Sequence, residues 1–67
     1  MSVARVTEIS STSTASFEDA IQVGLDRANQ TLRNVKSAWI KEQTVRVDGG
    51  SITEYQVNML VTFVLDD

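Results

Sequence analysis

The chain has 67 residues, 42% of them hydrophobic, and contains no Cys and no His, so its one possible domain buries only about 60% of the surface its unfolded chain exposes. Without Cys or His, disulfide staples and most transition-metal sites are excluded, and association with other copies is the remaining route to stability for so short a chain. Nine acidic and six basic residues, scattered singly for a net charge of −3, give no footprint for nucleic acid, and no segment has the roughly 18 apolar residues of a membrane span or the layout of a signal peptide.

The expectation is therefore one domain over residues 1–67, cytoplasmic, with neither nucleic acid nor membrane as partner. Val3 to Ser13, rich in Val, Thr, Ile and Ser, favours an extended strand. Its apolar residues Val3, Val6 and Ile9 fall on both faces.

Ser16 then reads as a helix N-cap, with Asp19 three residues on and Glu18 suited to the positive end of the helix dipole. The helix is predicted to run to about Arg33. Phe17, Ala20, Ile21, Gly24, Leu25, Ala28, Leu32 and Val35 recur at helical spacing and form one apolar stripe that needs a sheet to cover. Gly24 in that stripe points to close helix–sheet packing. Arg33 and Lys36 suit the negative end of the dipole, and Asn34 suits a left-handed cap.

Two further strands, Lys36 to Val47 and Ile52 to Leu65, flank Asp48-Gly49-Gly50-Ser51, a hairpin signal because glycine supplies the positive φ of tight turns. In the last strand Tyr55, Val57, Met59, Val61, Phe63 and Leu65 form one apolar row, predicted to cover the helix. A turn centred on Gly49-Gly50 sets Ile40 opposite Met59 and Trp39 opposite Leu60. Ser37, Trp39, Lys41, Gln43 and Val45 then share the uncovered face with Gln56, Asn58 and Leu60. A three-residue loop would invert the faces and place Trp39 in the core. The order β-α-β-β makes the first two strands parallel, with the third between them and antiparallel to both.

The missing His and Cys remove the commonest general bases and nucleophiles, and no Gly-rich phosphate loop precedes the helix. Glu8, Glu42 and Glu54 offer hard-cation ligands only where copies meet, and solvated or ion-paired strand acids are the commoner case. What stands out is a flat aromatic, Trp39, among the amides of Gln43, Gln56 and Asn58. Stacking plus a few directional hydrogen bonds is how proteins hold planar heteroaromatic rings. A subunit interface without ligand is the alternative for the same face.

The stretches SFEDAI from Ser16, DRANQTLRNV from Asp26, IKEQTVRV from Ile40 and TEYQVNMLVTFVLDD from Thr53 resemble the dodecins, small flavin-binding proteins, over nearly the whole chain. The resemblance implies an α+β fold of β-α-β-β topology, a three-stranded antiparallel sheet of order 1-3-2 wrapped around one helix. It further implies a hollow homo-oligomeric dodecamer that binds and stores flavin, as FMN, riboflavin or a related isoalloxazine, without catalysis. In such proteins a tryptophan on the second strand and its symmetry mate sandwich the ring, and a glutamine on the third strand bonds its edge. Gln56 matches that glutamine. Counted from Asn34-Val35, the tryptophan position falls on Ser37, and Trp39 follows two residues later on the same face, roughly 7 Å along the strand. Arg46 is a further candidate for contacts near the pocket or between subunits. A flavin-free oligomeric shell, binding another small ligand or ion, is the runner-up reading.

Overall fold

The computed structural model describes residues 3–65, so the Asp66-Asp67 end of the last matched stretch and residues 1 and 2 of the expected domain lie outside the described residues. Strand β1 (Ala4–Ser13), helix α1 (Phe17–Thr31) and strands β2 (Val35–Asp48) and β3 (Ser51–Val64) follow one another. The strands form one antiparallel-paired sheet in the order β1-β3-β2. The fold is the expected α+β arrangement. Among the described residues no helix is long and apolar enough to cross a membrane.

Helix α1 starts where the capping residues require. Ser16 is extended, and its hydroxyl accepts a hydrogen bond from the Asp19 amide at 2.9 Å, satisfying one of the orphan donors of the first turn. The Asp19 carboxylate turns back to accept from Ser13 Oγ at 2.6 Å, tying the end of β1 to the helix start. Ser16→Ala is expected to cost about 1 kcal/mol. At fixed protein concentration this should lower the thermal midpoint by roughly 4–8 °C, as followed by circular dichroism.

The other end of the helix differs from expectation. It closes at Thr31 with Leu32 as an extended cap, so Arg33 lies past the last turn and Lys36 belongs to β2. Extension at Leu32 is what lets Leu32 and Val35 both tuck against the core. Asn34 does adopt the left-handed conformation, φ 60°, but it does so in the turn into β2. There its carbonyl accepts from the Val64 amide at 3.1 Å.

The core is thin. Ala20 and Ala28 on the helix meet Val57, Met59 and Val61 on β3, with Ile9, Phe17, Ile21, Leu25, Leu32, Val35, Ala38 and Ile40 packed around them. Gly24 is needed here: a Cβ on it would lie 2.8 Å from Met59 Cε and 3.0 Å from Ser11 Cβ. Ser11 and Ser13 complete the buried side of β1. Phe17 meets Tyr55 edge to face, with ring centroids 5.1 Å apart.

The hairpin turn sits on Gly49 (φ 60°) and Gly50 (φ 81°), the doubly positive conformation of a two-residue hairpin loop. Asp48 faces Ser51, Ile40 faces Met59 and Trp39 faces Leu60, as expected. Between these anchors, however, the register is shifted by one: Glu42 pairs with Asn58, Gln43 with Val57, Thr44 with Gln56, Val45 with Tyr55 and Arg46 with Glu54. Lys41 on β2 and Thr53 on β3 are the extra residues, one bulge on each strand. The expected faces of Gln43 and Val45 are thereby overturned. Both lie on the helix side, and Glu42, Thr44 and Arg46 lie on the outer face.

The gain is at Val45. Unbroken pairing would set Thr44 opposite Tyr55 and leave Val45 on the outer face, whereas the bulge at Lys41 turns Val45 to the helix side, where it is half-buried opposite Tyr55, next to Phe17. Gln43, which takes the place opposite Val57, is exposed.

Candidate functional site

The outer face of the sheet carries Ser37, Trp39, Gln56, Asn58 and Arg46, while Gln43 lies on the helix side. Its rows across the three strands are Val6–Thr62–Ser37, Glu8–Leu60–Trp39, Ser10–Asn58–Glu42 and Thr12–Gln56–Thr44, followed by Glu54–Arg46 near the hairpin end. Trp39 is 65% exposed. No element among the described residues covers it, because α1 lies on the opposite side of the sheet.

The five-row face divides into two halves. Ser37 and Trp39 share the end where β2 begins; Gln56 and Arg46 share the hairpin end. Trp39 faces Leu60, four residues along β3 from Gln56, a separation of about 13 Å at the usual strand rise. One chain therefore does not bring the aromatic and the glutamine together.

Each half has its own polar partners. Lys41, at the bulge, reaches across the central strand to Glu8, with Nζ 3.4 Å from the carboxylate and both side chains nearly half exposed. Gln56 Nε2 donates to Ser10 Oγ at 3.0 Å, which leaves its carbonyl oxygen for another donor. Arg46 Nε lies 3.1 Å from Glu54, so Arg46 is an ion-paired strand residue within its own chain. Between the halves stands Asn58, whose Oδ1 is buried and has no hydrogen-bond partner among the described residues. Among the described residues no group of three or more His, Cys, Asp or Glu is placed to hold a metal.

Sequence reasoning placed Trp39, Ser37, Gln56 and Asn58 on this face but missed Glu42 and Thr44. It offered Gln43 in their stead. The signal that finds them is Val45, an apolar residue that unbroken pairing would leave on the outer face and a bulge turns inward. The Lys41–Glu8 bridge across Leu60 carried no signal in the sequence, since it depends on how β1 registers against β3.

A model of the family described as Dodecin matches residues 3–66. The chain belongs to the dodecin family. Solved dodecin structures superpose on it closely. Dodecin from Streptomyces davaonensis is 38% identical, with 98% of this chain and 97% of that chain covered and a TM-score of 0.94. An arginine-to-alanine variant of the Thermus thermophilus dodecin is 34% identical over 100% of both chains, again with a TM-score of 0.94. The chain is also similar to a calcium dodecin from Mycobacterium tuberculosis, described as a calcium-chelating immunodominant antigen. That protein is 31% identical, over 96% of this chain and 91% of that chain, with a TM-score of 0.82. A search of curated proteins finds no match. Dodecins are non-catalytic, and this chain is not an enzyme.

Proposed function

We propose that this chain binds and stores flavin, as FMN, riboflavin or a related isoalloxazine, in a hollow homo-oligomer of dodecin type, and that ring stacking on Trp39 quenches and protects the bound flavin. The observation that carries this reading is the indole of Trp39, 65% exposed on a face that also bears Gln56. A planar ring with N–H and carbonyl groups on its edge suits that pair. The indole supplies stacking area, and the Gln56 carbonyl oxygen, left over by the Nε2 bond to Ser10, accepts from a ring N–H.

Because Trp39 and Gln56 are about 13 Å apart along the sheet, a ring touching both requires two copies. The shape of the chain supports assembly on independent grounds. Its accessible surface is 4852 Å², against about 4,200 Å² expected for its mass of 7.4 kDa. Its radius of gyration is 13.8 Å, against about 11 Å for a compact chain of this length. Exposed Trp39, Val6 and Leu65 are what such a chain has to cover.

One feature favours the second reading, a dodecin-type shell that holds no flavin: Ser37 stands at the position where the resemblance sets the stacking tryptophan. The two readings part in one titration. Riboflavin or FMN emission is expected to fall as micromolar protein is added, with the purified protein yellow. Emission that stays unquenched sinks the flavin reading and leaves the shell.

A further inference from the structure

The hydroxyl residues that close β1 divide between the two faces of the sheet. Ser11 and Ser13 are buried on the helix side, where Ser11 lies against Gly24 and Ser13 donates to the Asp19 carboxylate. Ser10 alternates with them and is exposed on the outer face. It does nothing for the core. Its Oγ instead accepts the 3.0 Å hydrogen bond from Gln56 Nε2.

That bond is diagonal. Across the ladder Gln56 faces Thr12 and Ser10 faces Asn58, so the Gln56 side chain leans out of its own row into the next, a reach open to a long side chain. Among the described residues it is the one side-chain hydrogen bond that Gln56 makes. A glutamine amide carries two N–H donors and a carbonyl oxygen. With one N–H on Ser10, one N–H and the carbonyl oxygen remain for a ligand. Glutamine is among the side chains that lose most rotamer freedom on ordering, and ordering that is complete before a ligand arrives no longer opposes its binding.

We infer that Ser10 is a positioning residue for the flavin, holding the Gln56 amide so that its carbonyl oxygen and remaining N–H meet the imide edge of the isoalloxazine, where a ring N–H lies between two carbonyl groups. An acceptor and a donor on one amide complement a donor and an acceptor on one ring edge, so the site discriminates against planar rings without an imide N–H. Ser10 and Gln56 belong to the same chain, and the device is complete in one copy whichever neighbour supplies the indole. The inference rests on the flavin reading of the proposed function and names the ligand edge that this reading requires.

The test is a cycle of riboflavin fluorescence titrations on the full-length chain. Ser10→Ala is expected to raise the dissociation constant roughly three- to tenfold, the worth of one hydrogen bond, with the circular dichroism midpoint unchanged because Ser10 is exposed. Ser10→Thr keeps the hydroxyl and should bind within about twofold of the unaltered chain. In the Gln56→Ala background the Ser10→Ala change should add nothing, since a residue that acts through Gln56 then has nothing to hold. Riboflavin methylated on its imide nitrogen should bind the unaltered chain roughly tenfold more weakly than riboflavin itself. If riboflavin is quenched but Ser10→Ala costs no affinity, or costs as much without Gln56 as with it, or the methylated ring binds equally well, the role of Ser10 is wrong and the flavin reading stands. An unaltered chain that leaves riboflavin unquenched at micromolar concentration overturns the flavin reading and the role of Ser10 with it.

Discussion

Met59→Ala is expected to cost about 3 kcal/mol of stability, enough to leave a domain of this size largely unfolded on its own. Met59 is wholly buried at the centre of the sheet, facing Ile9 on one side and Ile40 on the other. Its Cε fills the space that Gly24 leaves open on the helix. Truncation removes the buried thioether and leaves a cavity that the backbone of three strands and a helix cannot collapse to fill. Urea unfolding followed by circular dichroism at fixed protein concentration measures the loss.

The glycine and the methionine are coupled. Gly24→Ala gains up to about 1 kcal/mol in helix propensity, but the new Cβ would meet Met59 Cε at 2.8 Å and Ser11 Cβ at 3.0 Å. The first neighbour can swing aside. The second is fixed to the backbone of β1, so overpacking of roughly 1–3 kcal/mol wins and the variant is destabilised. In the Met59→Ala background the harsher contact is gone. Gly24→Ala should there cost less by at least about 0.5 kcal/mol, and costs that simply add would show that the two side chains do not share the space.

Trp39→Ala is expected to weaken flavin binding by a factor of about 30 to 150. In the sandwich that the dodecin resemblance implies, the ring lies between the Trp39 indoles of two copies, and the loss of each costs roughly 1–1.5 kcal/mol beyond simple area burial. Because Trp39 is 65% exposed in its own chain and packs against no core residue, the substitution should leave the circular dichroism spectrum and unfolding midpoint of the subunit nearly unchanged. Fluorescence titration measures the affinity. An unchanged dissociation constant would move the stacking platform away from Trp39, and an equal loss of binding and of folded protein would make Trp39 structural.

The parts of this fold that were legible are those where one residue decides its own environment. Ser16 caps a helix because its hydroxyl bonds a local amide, and Gly49-Gly50 turns a hairpin because both residues adopt positive φ. Alternation from Tyr55 to Phe63 marks the covered row directly. Trp39 was placed on the outer face correctly because its anchor, Ile40 opposite Met59, lies outside the shifted segment. What local chemistry does not carry is harder to read. The helix end at Thr31 depends on the core drawing in Leu32, and the Lys41–Glu8 bridge joins residues 33 apart in sequence. The distance between Trp39 and Gln56 follows from counting along β3, but the surface that would bring them together belongs to another copy.

The two bulges have a consequence for how substitutions spread through β2. Lys41 and Thr53 are extra residues on opposite strands, so their shifts cancel, and the pairs at Ile40–Met59 and Asp48–Ser51 are those of an unbroken hairpin. The five residues 42–46 thus form a cassette with two possible settings and unchanged ends. In one setting Glu42, Thr44 and Arg46 face outward; in the other they exchange sides with Gln43 and Val45. Half-buried Val45 opposite Tyr55 holds the cassette where it is, because the other setting would put Thr44 in its place and Val45 outside. Val45→Thr removes that preference, so this single replacement acts on the orientation of all five side chains together, while a change at Thr44 would alter only one.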